Sequence, residues 1–195
     1  MRPSISVKWG LTAGWNAKLI KNNEQVGKDT PRLAEMQGKV VEAVRQHQLF
    51  SLAARPKTIR PPLFSRYSVG REYGSHVDDP IMAGIRTDLS FTVFLSDLAD
   101  YDGGSLVMEQ TDGEREVRLA AGSVVLYPST TLHRVTPVTR GVRLAAVSWI
   151  RSTVRSSEQR EILFDIDRAR RSIFQTQGKT ADFDLLSKSF SNLMR

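Results

Sequence analysis

The sequence predicts a mainly β chain with flanking helices and a jelly-roll core, and three observations carry that expectation. Residues 63–69 and 89–96 alternate in the two-residue rhythm of strands, and short apolar segments follow at 106–108, 117–119, 124–127, 132–135 and 142–150. The turn signals Tyr101-Asp102-Gly103-Gly104, Thr111-Asp112-Gly113 and Ala121-Gly122 fall at roughly ten-residue intervals, the spacing of a sandwich or barrel and not of βαβ units. Helical periodicity is confined to the two ends. Short strands in that number make a jelly roll, which is also the cupin architecture.

The elements follow in order. Residues 1–60 read as an N-terminal helical support segment. The first twenty carry Arg2, Lys8 and Lys18 but no long apolar core, so neither a secretory signal nor a membrane span is expected. In residues 31–50, Leu33, Met36, Val40, Val41, Val44 and Leu49 stand at mostly helical spacing, with Thr30 as N-cap and Pro31 at the first helical position. His47 has no acidic or histidine partner at ligand spacing and reads as a surface residue. Residues 61–152 form the β core. Residues 153–195 form a C-terminal helical extension, with helices over 157–176 and 181–194 on either side of Gly178 and Ser157-Glu158 opening the first.

A length of 195 residues suits one compact unit with a substantial core. Zero cysteines exclude a disulfide framework and cysteine chemistry and agree with a reducing cytoplasm. The net charge of +7 is unevenly placed: eleven basic and four acidic groups in residues 1–60, eight and eleven in 61–150, nine and six in 151–195. The core is thus mildly acidic and the helical ends are basic. No recognised DNA- or RNA-binding motif accompanies those ends, so a solvated basic surface is favoured over nucleic-acid binding.

The chemistry gathers in three residues. His76 and Asp78 are two apart, so on an extended segment both side chains leave one face and can bind one ion. The chain has three histidines, and a second lies downstream at His133. Two imidazoles and a carboxylate are the ligand set of the facial triad that holds non-haem Fe(II) with positions left open. A His-x-Asp pair alone is weak, since an Asp falls two places after one of three histidines by chance roughly one time in five.

Arg143, ten residues after His133, adds the needed context. Ten residues along one straight strand would part the two side chains by roughly 33 Å. The chain must turn back, and Pro137 and Gly141 make a reversal centred near Val138 reasonable, which would set Arg143 across from His133 on an antiparallel neighbour. Val142, Leu144, Ala145, Ala146, Val147, Trp149 and Ile150 surround Arg143 with a run typical of a strand covered on both faces, where a charge needs a partner. A guanidinium fork grips a carboxylate bidentately, and 2-oxoglutarate has the matching shape: a keto-acid end to chelate metal and a distal carboxylate for the arginine.

Across these positions the chain resembles a known family. Tyr67-x-x-Gly70-x-x-Tyr73-x-x-His76-x-Asp78, Asp102-Gly103-Gly104-x-Leu106, Gly122-x-x-x-Leu126-Tyr127-Pro128-Ser129 and His133-x-x-Thr136-Pro137-Val138-x-x-Gly141-x-Arg143 are similar to the prolyl 4-hydroxylase-type Fe(II)/2-oxoglutarate dioxygenases. Lys21-Asn22-Asn23-x-Gln25, Arg86-Thr87-Asp88-Leu89-Ser90, Phe94-Leu95-Ser96-Asp97 and Tyr101-Asp102-Gly103-Gly104 narrow the resemblance to the bacterial PKHD-type hydroxylases, from about Lys18 onward. The resemblance implies a double-stranded β-helix, Fe(II) at His76, Asp78 and His133, and 2-oxoglutarate at Arg143 with Tyr67 as a second contact. It further implies O2 as co-reactant, ascorbate (vitamin C) as reductant, and hydroxylation of a substrate with succinate and CO2 as coproducts.

Nucleic-acid demethylases of the AlkB type, in the same superfamily, carry a second arginine six places after the cosubstrate arginine, where this chain has Trp149; this disfavours base repair. Two other classes stand beside the hydroxylase: a cupin-like metal-binding protein without oxygenase activity, which has no need of Arg143, and a basic nucleic-acid-binding module. Substrate-lining loops carry no decodable signature, which leaves a small molecule or a peptide equally open. An exposed barrel edge offers a surface for a homodimer.

Overall fold

The computed structural model describes residues 7–9 and 19–195. The expectation of no leader or membrane span in the first twenty residues therefore lies almost wholly outside the described residues. No described helix is long and apolar enough to cross a membrane.

The core is a jelly roll of two facing antiparallel sheets. The large sheet runs β1 (Val7–Trp9), β3 (Glu24–Val26), β5 (Leu63–Ser68), β15 (Val138–Ser152), β9 (Leu89–Phe94) and β13 (Val124–Pro128), with β4 (Pro56–Ile59) and β10 (Tyr101–Gly103) on the two ends of β15. The small sheet runs β12 (Gly113–Val117), β11 (Leu106–Gln110), β14 (His133–Val135), β6 (Glu72–His76) and β2 (Lys21–Asn22). A two-stranded ribbon, β7 (Ile81–Met82) with β8 (Ile85–Arg86), completes the strands.

Strand β9 explains the division of the interior. Leu89 and Phe91 pack outward against α1 (Leu33–Gln46) and α2 (Gln48–Ala54) in a cluster with Val44, Phe50, Ala54, Ile59 and Ile150. Phe50 meets Phe91 edge to face with ring centroids 5.4 Å apart, a geometry worth about 0.5–1.5 kcal/mol beyond the area it buries. The alternate residues Ser90, Thr92 and Phe94 are also buried, and the two hydroxyls line the interior cavity. The polar half of this alternation faces a site, not water.

The N-terminal helix departs from expectation in two ways. It begins after Arg32, which takes a left-handed conformation, and Thr30 offers its backbone carbonyl to Leu33 N instead of a side-chain cap. It also breaks at His47, whose Nδ1 accepts from Phe50 N and caps α2. The break turns Phe50 into the core and leaves Leu49 54 % exposed, so His47 has a structural task that spacing does not reveal. The C-terminal helices α3 (Ser157–Gln177) and α4 (Ala181–Met194) match expectation, each opened by a hydroxyl cap, Ser156 to Gln159 N and Thr180 to Phe183 N.

The reversal between His133 and Arg143 is not a hairpin. β14 belongs to the small sheet and β15 to the large one, so at Thr136-Pro137 the chain crosses the sandwich. His133 pairs with His76 and Met108, whereas Arg143 pairs with Tyr67. Gly141, with φ +71°, serves a close approach and not a turn: a Cβ there would lie 1.9 Å from the Asp100 carbonyl oxygen. Histidine and arginine therefore meet across the interior and not along one ribbon.

Candidate metal centre

His76 ends β6, Asp78 follows it, and His133 opens β14 directly across the ladder. One ligand atom from each of the three lies within 4.8 Å of the others, and all three residues are largely withdrawn from solvent. His133 Nε2 stands 3.9 Å from Asp78 Oδ2. These are the three residues that sequence spacing singles out.

Their surroundings set their orientation. His76 Nδ1 lies 2.8 Å from the Gly74 carbonyl oxygen, and His133 Nδ1 lies 2.9 Å from that of Thr131. A carbonyl only accepts, so each Nδ1 carries a hydrogen and Nε2 is the nitrogen left for a metal. Burial, reinforced by the neighbouring His133, pushes the His76 imidazole down to about 4, so it is neutral at neutral pH. Tyr73 stacks on the His76 ring at 3.7 Å and fixes its plane. Asp78 Oδ2 accepts from Ser90 Oγ at 2.6 Å, and Ser90 Oγ is 2.8 Å from Ser129 Oγ. That relay leaves the second carboxylate oxygen available.

Deeper between the sheets, Arg143 is 1 % exposed. Its guanidinium lies 5.0 Å from the Tyr67 ring centroid and 5.6 Å from that of Phe94. Nε and Nη1 are buried with no hydrogen-bond partner among the described residues. A buried cation with idle donors costs several kcal/mol, roughly, unless an anion joins it. Gly104 makes room for this side chain: at φ +61°, a Cβ there would meet Arg143 Cδ at 2.9 Å. Tyr67 is fully buried, and that burial raises its hydroxyl above the ordinary tyrosine range against the pull of Arg143.

One cavity of about 60 Å³ connects these groups and is lined by His76, Asp78, His133, Tyr67 and Arg143 together. At about 10–15 Å³ per water on this measure it has room for roughly five, the scale of a small molecule. Two imidazoles and a carboxylate at one end are a donor set suited to Fe(II), and a buried guanidinium at the other, with two donor atoms idle among the described residues, is suited to a carboxylate. Both ends thus fit a chelating keto acid with a distal carboxylate.

Residues without an assigned role in the sequence reading join the cavity as well. Lys21 lines it with its ammonium 5.3 Å from the Tyr73 ring, and burial pushes that ammonium down to about 8 against the attraction of Asp78. Asn23, Ser90 and Trp149 line it too. Asn23 and Ser90 lie inside motifs that carry the family resemblance, and the polar alternation of residues 89–96 was the available signal for Ser90.

The chain is similar to known proteins over most of its length. Residues 62–151 match the model of the 2OG-Fe(II) oxygenase superfamily. A PKHD-type hydroxylase of Picosynechococcus sp. is 51 % identical over 185 residues, 95 % of this chain and 84 % of the relative. One of Acaryochloris marina is 52 % identical over 184 residues, 94 % of this chain and 84 % of the relative. Among solved structures, a Pseudomonas putida prolyl-4-hydroxylase superposes with a TM-score of 0.52 at 22 % identity, over 75 % of this chain and 78 % of that one, a likeness of fold. A Burkholderia pseudomallei oxidoreductase of the 2OG-Fe(II) oxygenase family has a TM-score of 0.51 at 19 % identity, over 66 % and 59 %.

Proposed function

The chain belongs to the PKHD-type hydroxylases of the 2OG-Fe(II) oxygenase superfamily and is a 2-oxoglutarate-dependent dioxygenase; from that premise we propose that His76, Asp78 and His133 hold the Fe(II) and that Arg143, with Tyr67 beneath its guanidinium, anchors 2-oxoglutarate. The observation that carries the assignment is the buried Arg143 with idle donors in the same cavity as the triad. A cupin-like metal protein would have no use for that cation.

The oxidising chemistry, in which 2-oxoglutarate is decarboxylated to succinate and CO2 and a substrate C–H bond is hydroxylated at the expense of O2, is supplied by the Fe(II) centre when bound, with ascorbate as its reductant. The residues of the chain orient and exclude. His76 and His133 present Nε2 because Gly74 and Thr131 hold their Nδ1 hydrogens. Asp78 provides the anionic ligand, oriented by Ser90 and Ser129. Arg143 neutralises the distal carboxylate in a space that the two sheets shield from bulk solvent. The substrate is a small molecule or a peptide side chain, and Val77, exposed, and Met82, half-buried, are cavity-lining residues it could meet on its way to the triad. A cytoplasmic enzyme belongs to the same reading, in keeping with the absence of cysteine.

Purified protein incubated with Fe(II), ascorbate and 2-oxoglutarate under air should release succinate, and Asp78→Ala and Arg143→Ala should both abolish it. Metal binding without turnover in the wild type, under any substrate mixture, would favour the cupin-like alternative.

A further inference from the structure

Asn23 stands where the chain leaves the small sheet and enters the large one, between β2 and β3. It is 1 % exposed and lines the cavity with Tyr67 and Arg143. Its side chain stands within reach of the Tyr67 hydroxyl, while Oδ1 is buried with no partner among the described residues. The Tyr67 ring in turn lies against the Arg143 guanidinium, whose Nε and Nη1 are likewise without partners. Orphaned polar atoms on two residues of one cavity, joined through Tyr67, call for a single polar ligand.

The two ends of a carboxamide are isosteric, so the amide turns over without displacing a neighbour. With Nδ2 on the tyrosine, Oδ1 stays unpaired. Turned over, Oδ1 accepts from the Tyr67 hydroxyl and Nδ2 has hydrogens to donate. A ligand carboxylate is acceptor-only, so this second arrangement can satisfy every group at once.

Building on the 2-oxoglutarate reading of the cavity, we infer that Asn23 is a cosubstrate-binding residue: it donates an amide N–H to the distal carboxylate beside Arg143, and Tyr67 acts largely through it by holding the amide in the donating orientation. Specificity for a dicarboxylate then rests on two donor residues far apart in the sequence. Arg143 supplies the charge. Asn23 supplies a neutral donor whose direction the Tyr67 hydroxyl fixes.

The test compares two keto acids on protein loaded with Fe(II) under nitrogen, with dissociation constants measured by calorimetry. One is 2-oxoglutarate. The other is 2-oxopentanoate, which keeps the chelating head and carries a methyl group in place of the distal carboxylate. Asn23→Ala should weaken 2-oxoglutarate by about ten- to hundredfold, the value of one hydrogen bond to a charged group, and leave 2-oxopentanoate within about twofold. Asn23→Asp, of the same shape but with a carboxylate facing the ligand, should show the same selective loss.

Equal weakening of both keto acids, or of neither, overturns the inference, and so does loss of the fold in both variants, which would make Asn23 structural. Wild-type protein that does not prefer 2-oxoglutarate to 2-oxopentanoate would overturn the cavity reading itself. A wild type that does prefer it, with Asn23 variants that behave alike toward both ligands, removes the role of Asn23 alone.

Discussion

Replacing Arg143 with methionine should separate binding from folding with opposite signs. Arg143 is the largest of the described side chains that are less than 2 % exposed, and Nε and Nη1 have no partner among the described residues. Exchanging a buried ionic group for an apolar one of similar volume is commonly neutral or stabilising by about 1–4 kcal/mol. Against this stand the ring contacts with Tyr67 and Phe94 at 5.0 and 5.6 Å, worth about 0.5–2 kcal/mol each. The metal-free, ligand-free variant should therefore melt within a few degrees of the wild type or above it, at about 2–4 °C per kcal/mol for a chain of this size.

Binding should collapse. Two charge-assisted hydrogen bonds to the distal carboxylate at about 1.5–3 kcal/mol each amount to a loss of roughly 10² to 10⁴ in affinity. In a thermal-shift assay with Mn(II), 2-oxoglutarate at a hundredfold excess over its Kd adds about 2.7 kcal/mol to the wild type, a rise of roughly 5–11 °C. Arg143→Met at the same concentration should show almost none of that rise. A variant whose ligand-free form melts ten degrees low while 2-oxoglutarate still stabilises it would refute the reasoning, because Arg143 would then be a structural cation and not an anchor.

Ser90→Ala should weaken Fe(II) or Mn(II) affinity by about ten- to hundredfold while the barrel stays folded, since Ser90 Oγ orients Asp78 at 2.6 Å; unchanged metal titration would dismiss that relay. The metal-free protein should lose stability as pH falls from about 6.5 to about 4, because the folded His76 value lies near 4 against an ordinary 6.5 and the unfolded chain binds the proton first in that window. The loss from this group is of order 3 kcal/mol, read from urea midpoints across the window, and His76→Gln should flatten it. Asp167, 1 % exposed and ringed by Arg55, Arg170 and Arg171, ties α3 to the C-cap of α2. Asp167→Ala should cost about 3–5 kcal/mol by leaving Arg55 buried without its counter-charge, and a melting temperature within two degrees of wild type would contradict it.

Much of the site is legible in the sequence because each signal is local or nearly so. His76 and Asp78 share a face through a two-residue period, and a charged Arg143 inside an apolar run declares a buried partner. The helix break at His47 was not legible, since the periodic pattern runs through it and the cause is Phe50 reaching Phe91 on a strand far along the chain. Ser90 and Asn23 lie inside motifs of the family resemblance, but nothing in those motifs says what either side chain does. Their roles come from what stands across the cavity.

The sequence by itself predicted a mainly β jelly roll with flanking helices and singled out His76, Asp78, His133 and Arg143 as candidates, with the chemical type of each. These follow from side-chain chemistry and short-range periodicity, which do not depend on where distant strands pair. Tertiary structure decided how His133 and Arg143 come to share a cavity. A hairpin would have served equally by spacing, but β14 and β15 lie in different sheets, Gly141 yields to the Asp100 carbonyl, and Gly104 yields to the arginine stem. Sheet partnership is set by long-range packing, and packing also puts Asn23 at a crossing between sheets, beside the tyrosine that faces Arg143.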